Sequence, residues 1–190
     1  MRLFIAIELN DEARAAIDEE RQRLWTAMGE ASRDLRWVRR EHLHLTLAFL
    51  GEVDGALADA VISVLTPDLD RAPYEMTLGG LGTFPPRGAP RTLWLGLMGG
   101  AEDTIALQAL VARRLAAVVP DRLREGQPFK PHLTLARWRE RGGQLSMRPP
   151  AQSGRALAVV LVERVTLFES RLSTGGPSYT ALARARLTCH

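Results

Sequence analysis

The chain has 190 residues, a length that suits one ordinary domain or two small lobes that share a core. Hydrophobic residues make up 46% and charged residues 25%, which excludes a disordered chain, and no apolar run approaches the ~20 residues of a membrane span. The formal net charge is +3, and Cys189 is the one cysteine, which excludes an internal disulfide and a cysteine-based zinc cage. The N-terminus lacks the pattern of a signal peptide, so we expect a cytoplasmic protein.

The first half of the chain is predicted to alternate between strands and helices. A helix is expected to begin after Asn10, because asparagine is a good N-cap and two acidic residues follow at the positive end of the helix dipole. The predicted elements are a strand at 3–7, a helix at 11–28, a strand at 44–48, a helix at 54–66 and a strand at 74–78. A loop rich in proline and glycine at 85–90 is predicted to link the two halves.

The second half is predicted to repeat the order of strand, helix and strand. The predicted elements are a strand at 93–97, a helix at 101–119, a strand at 132–136 and further strands at 157–169 and 179–187. In the last strand, simple alternation places Tyr179 on the same face as Ala185 and Leu187. Together these elements predict an α+β fold of mostly antiparallel sheets with helices on their outer faces.

A five-residue repeat is the most informative feature of the sequence. The peptide His-Leu-Thr-Leu-Ala at 44–48 recurs unchanged at 132–136, and each copy follows a strand and a helix in the same order. Chance does not easily produce the whole ordered set, so we infer an internal duplication. We predict a single bilobal domain over 1–190, with two pseudo-symmetric lobes around a central cleft. A chain that supplies both half-sites is expected to be a monomer.

The repeated histidines and threonines are the candidate site residues. Residues i and i+2 of a strand share a face, so His44 and Thr46 point away from the leucines that anchor the strand, as do His132 and Thr134. Because histidine has a pKa of about 6.5, one imidazole can accept a proton while the other donates one. Threonine hydroxyls can donate hydrogen bonds to two free oxygens of an anion. This combination favours metal-free chemistry on a phosphodiester.

Two other functions would use these residues differently. His42 and His44 form a His-x-His pair that could hold a metal in a hydrolase, although Lys130 stands at the place of His42 in the second half. Lys130 is the only lysine, so arginines supply the remaining basic charge and could make the chain a non-catalytic module that binds RNA ends. Metal content and His42→Ala test the first alternative. Salt-dependent oligonucleotide binding without turnover tests the second.

At the repeated peptides the sequence resembles the two-histidine phosphoesterase superfamily, which is defined by two His-x-Thr motifs. Within it, the chain is similar to the bacterial and archaeal RNA 2′,3′-cyclic phosphodiesterases, once named 2′-5′ RNA ligases. The resemblance covers nearly the whole chain in the family's order and rests on the stretches at 1–6, 44–51, 91–96 and 129–137. It implies a bilobal fold whose lobes each pair a small antiparallel sheet with outer helices around a central cleft.

The resemblance also implies an activity and roles for five residues. The activity is hydrolysis of a 2′,3′-cyclic phosphate at an RNA 3′ end to a 2′-phosphate, without metal or cofactor, with 2′-5′ ligation as the secondary reverse reaction. By motif position, His44 is the proton donor to the departing 3′ oxygen and His132 is the base that activates water, although the identical peptides leave these roles open on the residues alone. Thr46 and Thr134 hold the phosphate. Arg137 contacts the substrate, which requires the chain to bend, because an ideal strand would point Arg137 into the core.

Overall fold

One sheet runs through the computed structural model, which describes residues 1–120, 128–139, 155–174 and 176–189. Within these ranges the chain forms ten strands and three α-helices, so the predicted α+β class is confirmed. The strands are β1 (Arg2–Glu8), β2 (Leu35–Trp37), β3 (His44–Glu52), β4 (Leu69–Asp70), β5 (Tyr74–Phe84), β6 (Thr92–Gly99), β7 (Leu133–Trp138), β8 (Ala156–Val162), β9 (Arg164–Ser173) and β10 (Gly176–Thr188). The helices are α1 (Asp11–Met28), α2 (Gly55–Leu65) and α3 (Ala101–Ala116), and short 3-10 helices span Gly29–Asp34 and Arg40–His42.

The helices begin where side chains cap them. The side-chain oxygen of Asn10 accepts a hydrogen bond of 2.9 Å from the Ala13 amide, and Asp54 accepts one of 2.8 Å from the Leu57 amide. As a result α1 has the predicted bounds, and α2 differs from its prediction by one residue at each end. No helix in the described part of the chain is both long and apolar enough to cross a membrane.

The strand order divides the sheet into two half-sheets. The order is β4-β10-β9-β1-β3-β7-β6-β5-β8, with β2 also paired to β7. We call β4, β10, β9, β1 and β3 the first half-sheet, and the remaining strands the second. The two join where Leu45 of β3 lies opposite Leu133 of β7, so each half-sheet contributes one copy of the repeated peptide at the junction. Among the described pairings all are antiparallel except β4 with β10.

The chain exchanges strands between its two halves, which corrects two predictions. The loop at 85–90 connects β5 to β6, two strands that pair with each other, so it does not link the halves. The strand predicted at 157–169 is two strands, because β8 pairs with β5 at one end of the sheet and β9 pairs with β1 in the other half-sheet. Glu163 and Arg164 interrupt the apolar run at the crossing, but two charged residues within a strand pattern do not by themselves indicate a change of partner strand.

The leucines of the repeated peptides anchor β3 and β7 in the core. Leu45 and Leu133 are fully buried, and Leu47 and Leu135 are 3% and 2% exposed. Helices α2 and α3 pack against each other, α2 also lies against β10, and α3 lies against β3. The apolar side of each repeated strand is fixed in this way, so the histidines and threonines on the opposite side are held in place.

Candidate active site

A cavity of about 340 Å³ lies beside the junction of β3 and β7. All five predicted site residues line it, namely His44, Thr46, His132, Thr134 and Arg137. The rest of its described wall consists of Arg2, Phe4, Val38, His42, Phe49, Ser170, Leu172, Pro177 and Tyr179. Two arginines and no acidic side chain occur in this described wall, so its charge suits an anionic ligand.

The two repeated histidines have the same backbone hydrogen bond. The Nδ1 atom of His44 lies 2.7 Å from the carbonyl oxygen of His42, and Nδ1 of His132 lies 2.8 Å from that of Lys130. A carbonyl oxygen only accepts, so each Nδ1 carries the proton and donates it. In the neutral state Nε2 of each ring is therefore unprotonated and can accept a proton, and in the protonated state the same Nε2 can donate one.

Thr46 adds a contact on the reactive side of His44. Its Oγ1 lies 3.1 Å from His44 Nε2. With Nδ1 protonated, the Thr46 hydroxyl donates to Nε2 when the ring is neutral. A ligand oxygen that enters the cavity can replace Nε2 as the acceptor of the hydrogen bond from this hydroxyl.

Aromatic side chains fix the His44 ring within the first half-sheet. The Phe4 ring centroid lies 4.9 Å from that of His44, and the Tyr179 ring lies edge-on at 5.5 Å with the planes at 83°. His42 packs on the other part of this cluster, with its ring 4.6 Å from Tyr179. Because rings on several sides restrict rotation, Nε2 is held in one direction.

A similar arrangement surrounds His132 in the second half-sheet. The Phe84 ring lies edge-on at 4.9 Å with the planes at 83°, and Trp94 lies at 6.2 Å. The ammonium of Lys130 lies 4.4 Å above the Trp94 ring, a cation–π contact. Lys130 and His42 therefore have equivalent positions. The carbonyl of each accepts a hydrogen bond from the repeated histidine, and the side chain of each packs on an aromatic ring beside that histidine.

Burial is the main influence on the charge of His44. It lowers the pKa of His44 below the ordinary value of 6.5, because desolvation disfavours the imidazolium. The bond to the His42 carbonyl opposes this effect by raising the pKa, and the charge of His42 lowers it further. His44 is therefore more easily deprotonated than an exposed histidine.

The metal alternative rests on His42 and His44. The bond between His44 Nδ1 and the His42 carbonyl occupies one ring nitrogen of the pair, and the His42 ring packs on Tyr179. Among the residues that the structure describes, no three histidine, cysteine, aspartate or glutamate side chains are grouped to hold a metal ion. The rate of cleavage in excess EDTA tests this alternative.

Matching β-bulges in β3 and β7 bring two further residues into the cavity. The pairing of β1 with β3 skips Leu47, and the pairing of β6 with β7 skips Leu135, the same position of the repeat. A bulge reverses which face the following residues occupy, so Phe49 and Arg137 reach the cavity face. Arg137 donates to Thr92 Oγ1 at 3.3 Å. The bend before Arg137 that a substrate contact by this residue requires is thus present.

A third bulge places Tyr179. In β10 the pairing skips Leu182, since Ala181 and Ala183 face consecutive residues of β9. Tyr179 consequently lines the cavity, whereas Ala185 and Leu187 are buried in the core. The prediction that these three residues share one face is wrong, because alternation holds only for a strand without a bulge.

Sequence reasoning missed the aromatic residues around both histidines. Phe4, Phe84 and Tyr179 lie far from the repeated peptides in sequence, and no spacing rule connects them to the histidines. Lys130 was placed by the sequence at the position equivalent to His42, and the structure adds its contact with the Trp94 ring.

A family model described as the 2'-5' RNA ligase superfamily matches residues 9–173. The chain belongs to this superfamily. Among its relatives in the superfamily is a Thermus thermophilus protein named RNA 2',3'-cyclic phosphodiesterase, 36% identical over 198 residues, which cover 98% of this chain and 90% of the relative. The Escherichia coli relative of the same name is 31% identical, with coverage of 98% and 97%. A Geobacillus stearothermophilus relative is 33% identical, and the chain spans 55% of its length.

Solved structures agree with this superfamily membership. A crystal structure of a Thermus thermophilus protein matches with a TM-score of 0.80 at 30% identity and covers 98% of both chains. Escherichia coli LigT complexed with 3'-AMP matches with a TM-score of 0.70 at 30% identity and covers 98% of this chain and 97% of LigT. The resemblance stated from the repeated peptides and the fold that it implied are both confirmed.

Proposed function

We propose that this protein hydrolyses the 2′,3′-cyclic phosphate at an RNA 3′ end to a 2′-phosphate. The observation that carries the proposal is a pair of histidines that line one anion-compatible cavity and have equivalent Nδ1–carbonyl bonds, which leave Nε2 of each ring as the nitrogen that exchanges the reacting proton. The name RNA 2',3'-cyclic phosphodiesterase, shared by relatives that match nearly the full chain, supports the choice of substrate.

The reaction needs one proton acceptor and one proton donor on opposite sides of the phosphorus. His132 Nε2 takes a proton from water as the water oxygen bonds to phosphorus. The bond between phosphorus and the 3′ oxygen breaks, and protonated His44 gives its Nε2 proton to that oxygen. The products are a 2′-phosphate and a free 3′-hydroxyl. Each proton transfer contributes about 10²–10⁴ in rate.

Three neighbouring side chains stabilise the charge on the phosphate. Thr46 and Thr134 each donate a hydroxyl hydrogen bond to one of its two non-bridging oxygens, one from each half-sheet. Arg137 supplies positive charge that offsets the negative charge developing in the transition state. The Thr46 hydroxyl leaves His44 Nε2 when phosphate binds, which frees Nε2 for the 3′ oxygen.

The proposal extends to the working state of the protein. One chain contributes both histidines to the cavity, so we expect the protein to act as a monomer. Analytical ultracentrifugation at the concentration of the activity assay would measure its oligomeric state. With RNA as its substrate, we expect it to act in the cytoplasm. Ligation of a 5′-hydroxyl to the cyclic phosphate is the reverse reaction, and water at bulk concentration favours hydrolysis over it.

The identity of the product tests the proposed function. An oligoribonucleotide that ends in a 2′,3′-cyclic phosphate is incubated with the protein, and ³¹P NMR distinguishes 2′-phosphate from 3′-phosphate. We expect only the 2′-phosphate. Formation of the 3′-phosphate would contradict cleavage at the 3′ oxygen, and binding without turnover would favour the non-catalytic RNA-binding alternative.

A further inference from the structure

The cavity has an outer end that the reaction proposed above does not use. We define it by Arg2, Phe49, Ser170, Leu172 and Tyr179, all of which line the cavity. Arg2, Ser170 and Tyr179 lie directly opposite one another on β1, β9 and β10. Phe49 and Leu172 are 47% and 70% exposed, so this end is open to solvent. A ligand larger than the reacting phosphate would leave the cavity here.

The residue that follows the common bulge differs between the two copies of the repeat, which makes the two sides of the cavity unequal. Phe49 occupies the position in the first copy that Arg137 occupies in the second, yet only Arg137 carries a charge. Arg2 supplies the missing charge on the first side, since its guanidinium lies 5.0 Å above the Phe49 ring. The duplicated site therefore has one guanidinium on each side, and they come from different strands.

Along β1 the backbone of Arg2 lies further from His44 than that of Phe4 does, since Arg2 pairs with Glu52 and Phe4 pairs with Phe49. The Phe4 ring contacts His44, and Arg2 is two residues further along β1, which displaces its backbone by about 7 Å from that of Phe4. Both arginines line one cavity with Tyr179, whose hydroxyl pKa is raised by burial and lowered in part by the charges of Arg137 and Arg2. The two cations line the same cavity as Tyr179 and come from different strands, Arg2 from β1 and Arg137 from β7.

We propose that Arg2, held over Phe49, binds the phosphodiester on the 5′ side of the terminal nucleotide. This inference rests on the proposed function, and it adds to that function a second phosphate contact, one nucleotide away from the reacting group. The reacting phosphate lies between the histidines with Arg137, and the next phosphate along the chain meets the second guanidinium at the open end. A guanidinium suits this role because its fork of N–H groups matches two phosphate oxygens.

Two substrates with the same terminal nucleoside test this inference. One is the nucleoside 2′,3′-cyclic phosphate with a free 5′-hydroxyl, and the other is a dinucleotide that ends in the same group. For Arg2→Gln we expect kcat/KM on the dinucleotide to fall by about tenfold, as expected for one charge-assisted hydrogen bond at a partly exposed site, and on the mononucleoside by less than about twofold. Arg2→Lys, which keeps the charge, should recover part of the loss.

A matched control and a salt series complete the experiment. Arg33→Gln removes an exposed arginine that does not line the cavity, and it should change neither rate. The wild-type preference for the dinucleotide should shrink as salt rises, whereas that of Arg2→Gln should not. Equal losses on both substrates, or no wild-type preference, would overturn the subsite while leaving the proposed function intact. Failure of the wild type to cleave either substrate would instead overturn the proposed function.

Discussion

The two threonines of the repeat offer a quantitative test of phosphate binding. Thr46→Val and Thr134→Val each remove one hydroxyl and keep the β-branched shape that suits a strand. A hydrogen bond to a charged group contributes about 1.5–3 kcal/mol, which converts to a loss of roughly 10- to 150-fold in kcat/KM for each variant. Because the two hydroxyls come from different half-sheets, we expect the losses to multiply in the double variant, to roughly 10²–10⁴.

The assay for the threonine variants is the initial rate on an oligonucleotide with a 2′,3′-cyclic phosphate end. Thr77→Val is the matched control, because Thr77 is a half-buried strand residue of β5 that does not line the cavity. Its rate should equal that of the wild type. Losses below about twofold in both single variants would refute the assignment of the hydroxyls to the phosphate. A double variant no worse than either single variant would show that they do not hold separate oxygens.

Three further predictions concern pH, packing and the junction of the half-sheets. Because burial lowers the pKa of His44, a donor role requires kcat/KM to fall as pH rises through a value below 6.5. His42→Asn removes a nearby charge that lowers this pKa, so the fall should move to higher pH. An unmoved profile would contradict the electrostatic coupling between His42 and His44. Gly82→Ala should reduce both kcat/KM and the melting temperature, since a Cβ there would overlap the Trp94 ring, and an unchanged variant would refute this contact. Leu133→Ala should lower the free energy of unfolding by about 2–5 kcal/mol in urea titration, and a loss below about 1 kcal/mol would contradict full burial at the junction.

The sequence predicted the parts of this site that depend on local periodicity. The repeated peptide has period two over its first four residues, so the outward direction of His44 and Thr46, and of their partners in β7, followed from strand geometry alone. Helix α1 could be predicted in the same way, because Asn10 and the residues after it form a recognisable N-cap.

The rest of the site depends on pairings between distant strands. The bulges at Leu47 and Leu135 arise from register with β1 and β6, and no residue type in the peptide marks them. The same holds for the bulge that turns Tyr179 into the cavity and for the return of β9 to β1. The bulge lies at the same position of both peptides, but five identical residues could not reveal it.

The most direct test of the paired-histidine account is cleavage of a 2′,3′-cyclic-phosphate-ended oligoribonucleotide in excess EDTA, with His44→Ala and His132→Ala measured beside the wild type. The account predicts that the wild type forms the 2′-phosphate at an undiminished rate and that each variant, while melting as a folded protein, loses about 10²–10⁴ in kcat. Loss of wild-type activity in EDTA, restored by added metal, would support the metal alternative instead. Cleavage that neither substitution slows would contradict the central claim.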